Sequence, residues 1–151
     1  DAFVLATSPQ LDQYRQLFDR HGIPEERYHV QRVDHWAMPE WLSLVTWGLL
    51  LLDSTAAKRA SMPTKLAEFF AAGVRICQFG CNAEVSEWVE RAGSGIVLKG
   101  LEAERLDDAA GAIAAGGPVD LAAARARTHA HFSLETGVAR YAALLEQLRR
   151  A

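Results

Sequence analysis

A chain of 151 residues can bury about two-thirds of its unfolded surface around a core, and half of its residues are hydrophobic. With a formal net charge of −3, it lacks the strongly basic face of nucleic-acid binders, and no nucleic-acid partner is expected. The longest apolar run, Trp47 to Leu52, falls far short of the ~18 residues that cross a bilayer, and no charged leader precedes an apolar stretch, so a cytoplasmic location is expected.

The chain opens on Asp1-Ala2-Phe3-Val4-Leu5, which reads as the middle of a fold, and is expected to be a piece of a longer protein. Phe3 to Ala6 is a short apolar run ending in Thr7-Ser8-Pro9, the pattern of a strand followed by a helix start. Leu11, Tyr14, Leu17 and Phe18 then recur at helical spacing until His21-Gly22 closes the helix. Tyr28 to Val33 reads as a second strand. Pro39 opens a helix with Met38, Trp41, Leu42 and Val45 on one face.

The run Trp47 to Asp53 is apolar on successive residues, as in a parallel-sheet strand buried on both faces. A polar loop from Ser54 to Ser61 leads to Met62-Pro63, with Pro63 at a first helical position and Gly73 as the C-terminal cap of that helix. Val74 to Phe79 is the next strand. Asn82 caps a helix in which Val85, Trp88, Val89 and Ala92 fit one face. Ile96 to Leu98 is a further strand, and the remainder is helical, broken at Gly116-Gly117-Pro118. In the last helix Leu134, Val138, Tyr141, Leu145 and Leu148 form a stripe read as core. Strands alternating with helices of this length imply an α/β fold: a Rossmann-like doubly wound parallel sheet with helices on both faces, in one domain.

Cys77 and Cys81 are spaced C-x3-C, and none of the five histidines clusters with them. A metal site needs more ligands than that, so no metal is expected, and Cys77 is read as a small apolar residue in its strand.

Open parallel sheets bind ligands beyond the carboxyl ends of their strands. The richest segment there is Ser61-Met62-Pro63-Thr64-Lys65-Leu66-Ala67-Glu68. A helix beginning near Pro63 directs unpaired N–H groups and a partial positive charge toward that edge, and Ser61, Thr64 and Lys65 add hydroxyls and a cation: the makings of a diphosphate site. Glu68, one turn on, can accept two hydrogen bonds from a ribose diol, or can pair with Lys65 at i, i+3. Arg32 near the end of the second strand reads as a base contact or as a solvated side chain. His35 and Trp36, following the second strand, read as base-stacking residues or as core or lid residues. Asp53 reads as a loop cap or a ligand contact, and Lys58 and Arg59 as a solvated pair or as phosphate-steering cations.

The stretch Ser61 to Ile76 resembles the donor-site signature of retaining, family-4-like glycosyltransferases of the GT-B class, Pro-x-Lys-(x)2-Glu-(x)2-Ala-x-Gly-x-Pro-Val-Ile. Ala83-Glu84-Val85, Gly95 to Leu98, Phe132 to Glu135 and Tyr141 follow in that family's order. The resemblance implies a nucleoside-diphosphate sugar as donor substrate, no required metal, and a saccharide or other acceptor held by an N-terminal domain. It implies peripheral membrane association of the full-length enzyme. It places Glu68 on the ribose, Ser61, Thr64 and Lys65 on the phosphates, Glu84 near the donor sugar, and the strand end at Val30 to Val33, with Arg32, against the base.

The first Glu of the E-x7-E motif of many members falls on Ala60, and Arg75-Ile76 replace the Pro expected after the Gly. On the family template Phe3 to Ala6 is the domain's second strand, so the phosphate-clamping Arg and Lys of the first strand and helix are expected upstream of this chain. A receiver domain lacks support, because no acidic cluster ends the first strand. A dinucleotide oxidoreductase lacks its G-x-G-x-x-G, because Ala6-Thr7-Ser8-Pro9 stands in its place. A non-catalytic nucleotide-binding module and a sugar-nucleotide epimerase half-domain share the fold and remain alternatives.

Overall fold

The computed structural model describes residues 3–6, 11–52, 55–79, 82–116 and 120–150, with backbone alone at 3–6 and at residue 58. Asp53 and Cys81, singled out in the sequence, lie outside the described residues. The chain divides into two compact units, one running to Val45 and one beginning at Thr46.

In the first unit, β1 (Phe3–Ala6) pairs in parallel with β2 (Tyr28–Gln31), Phe3 opposite Tyr28. The intervening α1 (Leu11–Arg20) presents its apolar side to β2, where Phe18 and Tyr28 rings lie 4.5 Å apart. The Arg15 guanidinium donates to the Val30 carbonyl at 3.1 Å. The second strand stops two residues short of the expected Val33, which is nevertheless buried. A 3-10 turn, His35–Ala37, then leads into α2 (Met38–Ser43), where Pro39 sits in the first turn. Met38, Trp41 and Leu42 of α2 are half-buried, as the helical spacing predicts, whereas Val45, also half-buried, lies beyond the helix, which ends at Ser43.

In the second unit, three parallel strands run in the order β3-β4-β5: β3 is Trp47–Leu51, β4 is Arg75–Phe79 and β5 is Gly95–Leu98. The register sets Gly48 opposite Ile76 and Ile76 opposite Gly95. The polar segment after β3 contains a short helix, α3 (Ala56–Arg59). The strands are joined by α4 (Thr64–Ala72) and α5 (Ala83–Ala92), with α6 (Ala103–Ala115), α7 (Leu121–Phe132) and α8 (Leu134–Arg150) following. Both α4 and α5 end on a left-handed glycine, Gly73 at φ 71° and Gly93 at φ 64°, a conformation that costs a residue with a Cβ.

Helices cover this sheet on both faces. On one side Leu66, Phe69 and Phe70 of α4 and Val85, Val89 and Ala92 of α5 are buried, each large apolar side chain contributing about 1.5–3 kcal/mol on leaving water. The Phe69 ring lies where a Cβ on Gly48 would stand, 2.5 Å from its Cε2, so the missing side chain on β3 lets α4 approach. Phe70, Trp88 and Phe132 link α4, α5 and α7, with ring centroids 5.7 Å (Phe70–Phe132) and 5.1 Å (Trp88–Phe132) apart. On the other side Cys77, Leu98 and Ala109 form a second cluster, with Trp47, Phe79 and Ile113 against it.

The apolar reading of Cys77 holds: it is 2% exposed, and burial pushes its thiol pKa above the ordinary 9.0. In the Cys81→Ser variant, Cys77 is therefore expected to resist a bulky thiol reagent in the native state and to react promptly in denaturant, as read by mass spectrometry. Labelling at equal rates in both would contradict the packing. Because the folded-state value is raised, the stability this group contributes is complete below pH 9 and is lost as the pH climbs through the raised value.

Four expectations need correction. The third strand is not buried on both faces: Leu49 is 56% and Leu51 58% exposed. They lie on the Cys77 side, in register with Cys77 and Phe79, at an edge strand of the three. The segment from Ser54 is not loop throughout, since two consecutive alanines favour the short α3 within it. The stripe on α8 is not core: Leu134 is 78%, Val138 59%, Tyr141 73%, Leu145 60% and Leu148 65% exposed, and α8 has no buried residue. Pro63 stands at the N-cap of α4 rather than inside it, a shift of one position.

Candidate functional site

Because β3 and β4 run in parallel, the segments leaving them emerge at the same carboxyl edge of the sheet, and the starts of α4 and α5 lie along it. Pro63 ends the chain's extended approach to α4 at φ −68°, ψ 129°, and no side chain caps this helix. The Leu66 N–H bonds back to the Pro63 carbonyl at 3.0 Å. The first turn carries no acidic residue but does carry Lys65, a cation set against the positive end of the helix. That placement costs about 0.3–1 kcal/mol relative to an acid, and it concentrates positive potential where the amide groups point.

Thr64 and Lys65 are exposed, and Ser61 and Glu68 are half-buried. Lys65 and Glu68 stand at i, i+3, yet the internal ion pair the spacing allows is not formed among the described residues. Thr64, Lys65 and Glu68 thus share one helical turn with no side-chain partner among the described residues. Glu84 lies in the first turn of α5, exposed. The segment from Ser61 to Glu68 and the start of α5 therefore belong to one sheet edge. Arg32 belongs to the first unit, exposed just after β2. Trp36 there is 91% exposed, its ring edge-on to His35 at 5.8 Å, so the core reading of that pair fails. Arg59 is exposed at the end of α3.

The sequence identifies Asn82 as a cap and no more. It is a cap: its Oδ1 accepts from the Val85 N–H at 3.1 Å. It is also 4% exposed, and its Nδ2 donates to the Ser61 carbonyl at 2.7 Å. Behind it, the Ser86 hydroxyl lies 3.2 Å from the Asn82 carbonyl and 3.0 Å from Gln78 Oε1. Gln78 is fully buried on β4, with no partner for its Nε2 among the described residues. Ser86 has one proton for two acceptors. The isosteric 180° alternative of the Gln78 amide donates from Nε2 to Ser86 Oγ and leaves that proton to Asn82, which satisfies the buried donor. Either way a buried polar chain runs from the sheet interior through α5 to the turn before α4. The one signal for it in the sequence is the residue type, since a capping Asn, unlike Asp or Ser, has two N–H groups left over.

A shallow depression of about 470 Å³ opens along α5 and β5, lined by Ala83, Ser86, Glu87, Glu90, Val97, Leu98 and Lys99. None of the expected site residues lines it. Among the described residues no cluster of His, Cys, Asp and Glu forms a metal-binding group, and no helix is long and apolar enough to cross a membrane.

Comparison with protein-family models, with curated proteins and with solved structures finds no match to this chain.

Proposed function

We propose that this chain is the nucleotide-sugar-binding half of a GT-B glycosyltransferase, binding a nucleoside-diphosphate sugar for glycosyl transfer to an acceptor held by a partner domain. The observation that carries the reading is the first turn of α4. There an uncapped helix start stands with a cation in place of the usual acid and with a carboxylate one turn on, and neither charged side chain has an internal partner among the described residues. Amide groups and Lys65 together suit a diphosphate, and they would stabilise it as it gathers charge on leaving. Glu68 suits the ribose diol. Glu84, at the next helix start on the same edge, is assigned to the donor sugar, and Arg32 to the base.

The parallel three-stranded sheet of the second unit, flanked by helices, is compatible with a doubly wound Rossmann-like fold.

Calorimetric titration of the chain with UDP, GDP and ADP tests the reading. At least one nucleotide is expected to bind, and Glu68→Ala is expected to weaken it about 10- to 100-fold, the worth of hydrogen bonds to a charged group. Failure of all three nucleotides to bind at millimolar concentration would sink the proposal. Binding that survives Glu68→Ala unchanged would remove the ribose assignment alone.

A further inference from the structure

We infer that Asn82 is a positioning residue that locks the turn before α4 to the start of α5, so that the two helix starts present their amide groups as one rigid edge. The inference rests on the nucleotide reading for its functional meaning, but its geometry stands independently. Ser61 is three residues ahead of Thr64, the first residue of α4. Fixing its carbonyl fixes the path by which the chain enters the helix, and with it the direction of the Thr64 and Lys65 N–H groups. The bond comes from a side chain that is itself 4% exposed and held at its other end by Val85 N–H. The residue's carbonyl is engaged too, by the Ser86 N–H at 3.2 Å and by the Ser86 hydroxyl.

The two segments joined in this way are 21 positions apart in sequence and follow neighbouring strands. Only a side chain with an acceptor and a donor on one planar group meets both demands. Asp supplies the cap without the donor, and Ser caps but is too short to reach the carbonyl of another turn.

The test separates capping from coupling with two variants. Asn82→Asp and Asn82→Ser both keep a favoured N-cap, and the neutral Ser excludes an effect of added charge near an anion site. Hydrogen exchange of the ligand-free chain is expected to quicken at Leu66, whose N–H bonds to the Pro63 carbonyl in the turn, by about five-fold or more for a lost hydrogen bond in a buried setting, while Val85 and Ser86 keep their protection. Affinity for the nucleoside diphosphate bound by the parent chain should fall about ten-fold in both variants. Exchange at Leu66 that stays at the parent rate in both variants overturns the coupling, whatever the titration gives. A parent chain that binds no nucleotide refutes the functional reading instead, and the exchange result then stands on its own. A loss of affinity in Asn82→Asp alone, with normal exchange in Asn82→Ser, reduces the residue to an electrostatic neighbour and also overturns the inference.

Discussion

Replacing Gly95 by alanine is expected to destabilise the second unit severely, although the position is exposed. A Cβ there would fall on the Ile76 carbonyl oxygen of β4 and within 2.6 Å of Val89 Cγ1 on α5. Val89 can turn, but the carbonyl belongs to the strand ladder, where Ile76 N–H already bonds to the Ser94 carbonyl at 3.1 Å. Relief requires moving β5 away from β4 or α5 away from the sheet. Overpacking of this kind costs about 1–3 kcal/mol and more where backbone is involved, and a chain of this size loses roughly 2–4 °C of Tm per kcal/mol. Thermal unfolding followed by circular dichroism should therefore show a drop of about 2–12 °C. Gly111→Ala is the internal control. That glycine lies within α6, and a Cβ added to it would meet nothing within 4 Å, so the same substitution there should hold or raise the Tm through helix propensity. Equal behaviour of the two variants would refute the close approach of β5 to β4.

The second large effect is expected at Leu66→Ala. Leu66 is fully buried on α4, immediately after Lys65. Truncating a leucine in a closed core costs about 2–5 kcal/mol, depending on how far its neighbours collapse. Because α4 carries Thr64, Lys65 and Glu68 on its outer side, the same change should loosen the site it presents. Denaturant unfolding should show a lower midpoint. Lys65→Ala, at an exposed position, should leave the stability within about 0.5 kcal/mol of the parent while lowering nucleotide affinity. A Leu66→Ala protein as stable as its parent would mean that α4 is not seated on the sheet through that residue.

Much of the architecture is legible because the chain alternates short apolar runs with periodic segments. Gly73 and Gly93 mark helix ends where glycine's left-handed freedom is used. What escapes is the environment of each face. Successive leucines at 49–52 look alike whether both faces of a strand are covered or one, since apolar sequence states a preference and not a neighbour. The same holds for α8, whose spacing from Leu134 to Leu148 defines a stripe but does not supply what would cover it. The local part of the candidate site is readable, because Thr64, Lys65 and Glu68 fall within one turn of one helix. The link between Asn82 and Ser61 is not, because it depends on how two parallel crossovers bring their ends together. The 3-10 turn at His35–Ala37 lies beyond the reach of periodicity, being too short to show a period.

The bare start of α4 differs from the starts of α5 and α7, where Asn82 and Asp120 accept from Val85 and Ala123 N–H groups. A side-chain cap contributes about 1 kcal/mol to a helix, and α4 forgoes it. On the phosphate reading, the solute takes over that role: an anion in the turn becomes part of the secondary structure rather than a guest of it. The stability of the second unit is then a property of the medium as well as of the sequence. Unfolding curves recorded in phosphate and in an uncharged buffer would refer to two differently completed helices.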